Sequence, residues 1–90
     1  MADIKLIEEI TNAFGPSGFE EEVCKVIQKY TEDFNVTNDA MCNVYMTKKD
    51  FSGTKPVIML DAHSDECGFM IQNIRENGLL NFLNLGGIHV

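Results

Sequence analysis

The sequence places four apolar residues in a row, Val57-Ile58-Met59-Leu60, behind Pro56, and follows them at once with Asp61-Ala62-His63-Ser64-Asp65-Glu66. A strand covered on one face alternates apolar and polar residues. One covered on both faces reads as a continuous apolar run and belongs to an open sheet with helices packed above and below. The run therefore predicts a central, mostly buried strand over 57–60. Ligand sites in such sheets lie at the carboxyl ends of the strands, which is where the polar cluster sits.

The segments before the run supply helices. Ile4, Ile7, Ile10, Ala13 and Phe14 recur at helical spacing, with Lys5, Glu8, Glu9 and Asn12 elsewhere around the cylinder. This predicts a helix over 4–14, stopped by Gly15-Pro16. Ser17 followed by Glu20 has the form of a capping box, and Val23, Val26, Ile27 and Tyr30 extend the stripe of a second helix over 18–30. Glu20, Glu21 and Glu22 fall in its first turn, where the helix dipole favours negative charge. Helix capping accounts for this acidic run without a metal site.

Strand signals follow. Phe34 and Val36 alternate with polar residues, 38–43 is turn-like, and Val44-Tyr45-Met46-Thr47 suits a pleated surface. Residues 48–55 form a polar loop. Beyond the central run, 69–74 and 79–85 read as strands joined through Asn77-Gly78, a strong hairpin signal, and Gly86-Gly87 ends the second. The expected class is α/β, two helices followed by strands. The helices can cover one face of the sheet; nothing visible covers the other face of the 57–60 strand.

Ninety residues allow at most one small domain. Hydrophobic content of 44% with 23% charged residues suits a globular chain. A formal charge of −7 disfavours nucleic acid and anionic membrane surfaces, which need clustered Lys and Arg. No apolar run approaches the roughly 20 residues of a membrane-spanning helix. Charged residues interrupt the first ten positions, unlike a secretory signal. A cytoplasmic location is expected. Cys24, Cys42 and Cys67 are odd in number and widely spaced, with no Cys-x-x-Cys, so three reduced thiols are expected.

In an extended segment residues i and i+2 share a side, so His63 and Asp65 face one direction together and Glu66 faces the other. Imidazole is a common zinc ligand, and a neighbouring carboxylate often sets its tautomer. A His-x-Asp pair at a strand end provides both parts, although a surface histidine is the ordinary reading of so short a motif. Asp61 shares the His63 side one step deeper, and His89 is a weak alternative ligand near the chain end.

The flanking residues extend the motif. The stretch from Pro56 to Ile71, with Ala62-His63-Ser64-Asp65-Glu66-Cys67-Gly68 at its centre, closely resembles the first metal-ligand segment of the M42 family of metallo-aminopeptidases. That family includes glutamyl and tetrahedral aminopeptidases and members labelled endoglucanase. Gly15-Pro16-Ser17-Gly18-Phe19-Glu20 looks like its segment between the first two helices, Asp39 to Asn43 like its Asp-x-x-Gly-Asn turn, and Leu85-Gly86-Gly87 like the start of its inserted smaller domain. Cys42 stands where the family usually has Gly, which predicts altered backbone geometry in that turn. Ser64 replaces a frequent Met.

The resemblance implies the N-terminal part of a zinc-peptidase-like α/β domain over 1–74, with 75–90 as hairpin return and start of the inserted domain. It implies an enzyme that hydrolyses N-terminal residues from peptide substrates. Two divalent ions, zinc or cobalt, would activate a bridging water, and a glutamate beyond these residues would take its proton. His63 would be a metal ligand, Asp65 would orient it, and Glu66 would be structural or adjacent to substrate. A homo-oligomer is implied for the longer form. Family members are several times longer than this chain, and their remaining ligands lie downstream, so residues 1–90 alone are expected to be inactive. The competing expectation is a non-catalytic interaction module that kept part of the fold. A polysaccharide hydrolase is disfavoured, because no facing pair of carboxylates is identifiable.

Overall fold

The computed structural model describes residues 3–89. Its elements run α1 (Ile4–Asn12), α2 (Glu21–Gln28), β1 (Phe34–Asn38), β2 (Val44–Lys48), β3 (Gly68–Ile74) and β4 (Leu80–Leu85). Two helices followed by strands in small antiparallel sheets give an α/β arrangement.

Helix α1 starts on Asp3, whose carboxylate accepts the backbone N–H groups of Lys5 and Leu6 at 3.1 and 3.2 Å. This cap satisfies two of the donors that a helix start leaves free. The helix ends before the expected residue 14, because Ala13 is already extended as the chain approaches Gly15-Pro16. The second helix also starts later than the sequence suggests. Its N-terminal flanking residue is Glu20, not Ser17. The backbone N–H of Phe19 donates to the Pro16 carbonyl at 2.8 Å, so residues 16–19 close a turn in which Gly18 has a φ of 89°. That turn uses the residues a Ser17 capping box would need. The Glu20 carboxylate instead accepts the Gly18 N–H at 2.9 Å, and Glu22 reaches back to the N–H of Phe14 at 3.0 Å.

The buried apolar residues are Val23, Cys24 and Val26 of α2. Val23 packs against the connection from α1, where Gly15 and Pro16 are also buried. The stripe of α1 is less well covered, with Ile4 and Ile7 exposed and Leu6, Ile10 and Ala13 half-buried. Lys29 joins the helices through Glu9 at 3.2 Å and holds that carboxyl below its ordinary range. Among the described residues the three cysteines are free thiols.

Strands β1 and β2 form an antiparallel hairpin with Val36 opposite Met46. Asp39 organises its turn. One carboxylate oxygen accepts the N–H groups of Met41 and Asn43, and the other accepts from the Asn43 amide and the Tyr45 hydroxyl, all within 3.2 Å. Cys42 takes a φ of 61°, the left-handed conformation that glycine would supply. The four bonds to Asp39 and a 2.9 Å hydrogen bond from the Cys24 thiol to the Cys42 carbonyl hold the residue there. Burial pushes the Cys24 thiol pKa up.

Strands β3 and β4 form the second hairpin, with a register shift between Ile71 and Asn73. Its Asn77-Gly78 turn forms as expected. Gly78 has a φ of 84°, its N–H donates to the Arg75 carbonyl, and Leu79 accepts from the Arg75 N–H. Phe69 and Phe82 pack edge to face across the pair at 4.6 Å. This hairpin spans the expected boundary at residue 74.

The central-strand expectation fails. Residues 57–60 adopt no strand, and Val57, Ile58, Met59 and Leu60 are 60, 88, 82 and 94% exposed. A both-faces-buried strand is stabilised by a neighbour on each edge and a layer on each face. Here each hairpin pairs only with itself, so the run has neither. The same shortage sets the overall shape. The radius of gyration is 17.6 Å, against about 12 Å for a compact domain of this length. The accessible surface is 7985 Å², against about 5,300 Å² for a folded monomer of this mass.

Candidate metal-ligand segment

The polar cluster after the apolar run is anchored at its far end. Pro16 and Glu66 form a parallel β-bridge, and the Glu66 N–H donates to the Gly15 carbonyl at 2.9 Å. The Glu66 side chain completes the contact, its carboxylate accepting the Gly15 N–H at 3.1 Å. Both backbone polar groups of Gly15 are thus satisfied by one residue 51 positions away. The position tolerates no side chain: a Cβ on Gly15 would stand 2.5 Å from a methyl of Val23 and 3.7 Å from the Ser64 carbonyl. Two residues beyond Glu66, a Cβ on Gly68 would press on the Pro16 ring at 3.2 Å. The α1–α2 turn is therefore sandwiched between α2 and residues 64–68.

His63 lies just before this clasp. Its Nδ1 is 3.1 Å from a carboxylate oxygen of Asp65 and 3.1 Å from the Asp65 carbonyl. With Nδ1–H directed at acceptors, the neutral ring leaves the Nε2 lone pair free, and the His63 side chain is 86% exposed against 41% for Asp65. The two residues meet as alternation predicts, while Glu66 points to the other side, towards Gly15.

The other sequence candidates are not drawn in. Asp61 and His89 are exposed, and the glutamates at 20 and 22 are engaged with backbone around α2. Among the described residues no three His, Cys, Asp or Glu side chains gather as a metal cluster. The donor chemistry fits one ligand, an imidazole pre-set by a carboxylate, and no more. The surface hollow beside the clasp is apolar, lined by Phe14, Pro16, Phe19, Phe69, Met70 and Leu85 among others. The tie from Glu66 to Gly15 was not legible in the sequence. Its one signal, the alternation that turns Glu66 away from His63, says nothing about what it meets.

Comparison with known proteins places this geometry in context. Residues 42–90 match the M42 glutamyl aminopeptidase family. FrvX of Escherichia coli K12 is 31% identical over 87 residues, covering 94% of this chain and 24% of that protein. A lysyl aminopeptidase of Pyrococcus furiosus is 28% identical over 93 residues, covering 98% of this chain and 25% of its own length. A glutamyl aminopeptidase of Lactococcus lactis subsp. cremoris is 30% identical over 87 residues, covering 90% and 23%. The chain spans about a quarter of the length of these relatives. With more than half of its residues inside the family match, His63, Asp65 and Glu66 among them, the chain belongs to the M42 glutamyl aminopeptidase family and corresponds to its N-terminal portion.

Proposed function

We propose that this chain carries the first metal-binding segment of a two-metal aminopeptidase acting on the N-termini of peptides. The observation that supports the reading most directly is the His63–Asp65 contact within the family-matched residues. Asp65 accepts a hydrogen bond from Nδ1–H and holds the ring in one tautomer, so that Nε2 is the donor presented to a divalent ion. Zinc or cobalt bound there would polarise a peptide carbonyl and lower the pKa of water. Asp65 has no direct part in that step; it orients His63. The aminopeptidase names of the relatives motivate peptides as substrates. The three free, widely spaced thiols favour a cytoplasmic location.

Ligand counting extends the reading. A catalytic zinc ordinarily has three protein ligands and a water, and a two-metal site needs more. Residues 1–90 supply one firm donor, so on their own they should bind zinc or cobalt weakly and show no turnover. Their uncovered apolar surfaces should promote self-association, in line with a homo-oligomeric longer form.

The test is calorimetric titration of residues 1–90 with zinc and with cobalt, alongside an assay of residue release from short peptides. Weak binding that disappears in His63→Ala, without turnover, is the expected result. Tight binding of two ions per chain, or binding indifferent to His63→Ala, contradicts the ligand assignment. In a chain extended to the relatives' length, His63→Ala should lower metal content and activity together.

A further inference from the structure

Among the described residues, the Glu66 carboxylate is the one side chain that joins the residues around His63 to the helical part of the chain by hydrogen bonding. We infer that Glu66 is a positioning residue, which clamps the His63–Asp65 pair against the α1–α2 turn and so fixes where the imidazole points. The inference deepens the metal-ligand reading and rests on it for its functional meaning; the clamp itself is separately measurable.

The argument is geometric. Residues 57–60 are exposed and form no strand, so that run supplies His63 with no sheet pairing to hold it. Restraint has to come from the downstream side, where Asp65 is followed directly by Glu66. Glu66 engages Gly15 twice, through its own N–H and through its carboxylate. Two bonds to one residue form a closed ring that resists rotation about either, as a single bond would not. The partner is itself immobile. Gly15 is buried, stands against Val23 with no room for a Cβ, and precedes Pro16, whose φ is fixed by its ring. The Gly15 N–H is also a donor that burial would penalise if it were left unpaired. Glu66 thereby satisfies the turn and transmits its rigidity one residue back to Asp65 and on to the His63 ring. Ligands gain affinity when neighbouring groups hold them in the binding orientation.

The experiment uses the 90-residue chain with zinc chloride as probe, comparing Glu66→Ala and Glu66→Gln with the parent. Gln keeps a carbonyl oxygen that can accept from Gly15, and circular dichroism checks that the helices persist in each variant. In Glu66→Ala the Gly15 amide should exchange about tenfold faster, the equivalent of one lost hydrogen bond. The ring nitrogen shifts of His63 should move from a single tautomer towards a mixture. Zinc affinity should fall by roughly threefold to tenfold, as expected for a group acting through the ligand's own partner. Glu66→Gln should restore most of all three.

A Glu66→Ala chain with unchanged Gly15 exchange and unchanged His63 nitrogen shifts overturns the inference. So does a Glu66→Gln chain that behaves like Glu66→Ala while its helices remain intact. His63→Ala separates the two ideas: zinc binding indifferent to it removes the metal-ligand reading, while the clamp still stands or falls on the Gly15 exchange.

Discussion

Residues 57–60 and residues 63–68 are neighbours in the chain, yet they meet opposite fates. The first are four apolar residues with every reason to be buried, and they are exposed. The second are mostly polar or small, and they are pinned against a buried turn. The difference lies in what each needs. The clasp needs one carboxylate, one glycine and one proline, all within the described residues. The apolar run needs a strand on each edge and a layer on each face, and the two hairpins supply neither. Burial is a property of surroundings, and hydrophobicity alone does not provide them.

The largest effect that would sharpen this contrast concerns Leu60. In a chain extended to the relatives' length, where the run gains neighbours, Leu60→Ala should cost about 2–5 kcal/mol by denaturant unfolding. In residues 1–90 the same change should cost less than about 0.5 kcal/mol. Equal costs in the two contexts would break the comparison.

Next comes the clasp. Gly15→Ala forces a Cβ to within 2.5 Å of the Val23 methyl, and such overpacking costs about 1–3 kcal/mol. A companion Val23→Ala should recover part of that loss by making room. Gly15→Ala with an unchanged melting temperature would show that the turn is not tightly held.

The Asp39 turn adds a third region, organised by local bonds alone. Cys42 holds a left-handed φ of 61°, a conformation that costs an ordinary residue about 1–2 kcal/mol. Cys42→Gly removes that cost but loosens the unfolded chain, so a gain of up to about 1 kcal/mol is expected, read as a higher melting temperature. A loss would mean that the Cys42 side chain contributes packing that outweighs the strain.

The smallest effect is a pH dependence. Hydrogen bonds from the Asn43 side chain and backbone, and from Met41 and Tyr45, hold the Asp39 carboxyl below its ordinary range. A group whose folded-state pKa is lowered stabilises the fold in full above its unfolded value, and that contribution disappears as the pH falls through the lowered value. The β1–β2 amides should therefore lose exchange protection on acidification across that window. Asp39→Asn should flatten this part of the profile. An identical profile in Asp39→Asn would assign the acid sensitivity to other carboxylates.

Much of the local structure was legible. Helical periodicity located α1 and α2, alternation located β1, residues suited to a pleated surface located β2, and Asn77-Gly78 identified the hairpin of β3 and β4. Errors at the helix ends arose where short-range alternatives compete. Ser17 has the form of a cap, but Gly18 permits a tight turn that consumes the same residues. The His63–Asp65 contact was legible because two residues of spacing determine it. The partner of Glu66 was not, because Gly15 is 51 positions away and no pattern in a single chain encodes such a distance.

The sequence by itself therefore determined the elements, the turns and the imidazole–carboxylate pair, since these depend on backbone geometry and on groups a few residues apart. Tertiary structure alone decided that Glu66 closes on Gly15 and that residues 57–60 form no strand. Both outcomes depend on which surfaces come together in space, where a hydrogen bond or a buried face exists only if its partner is present.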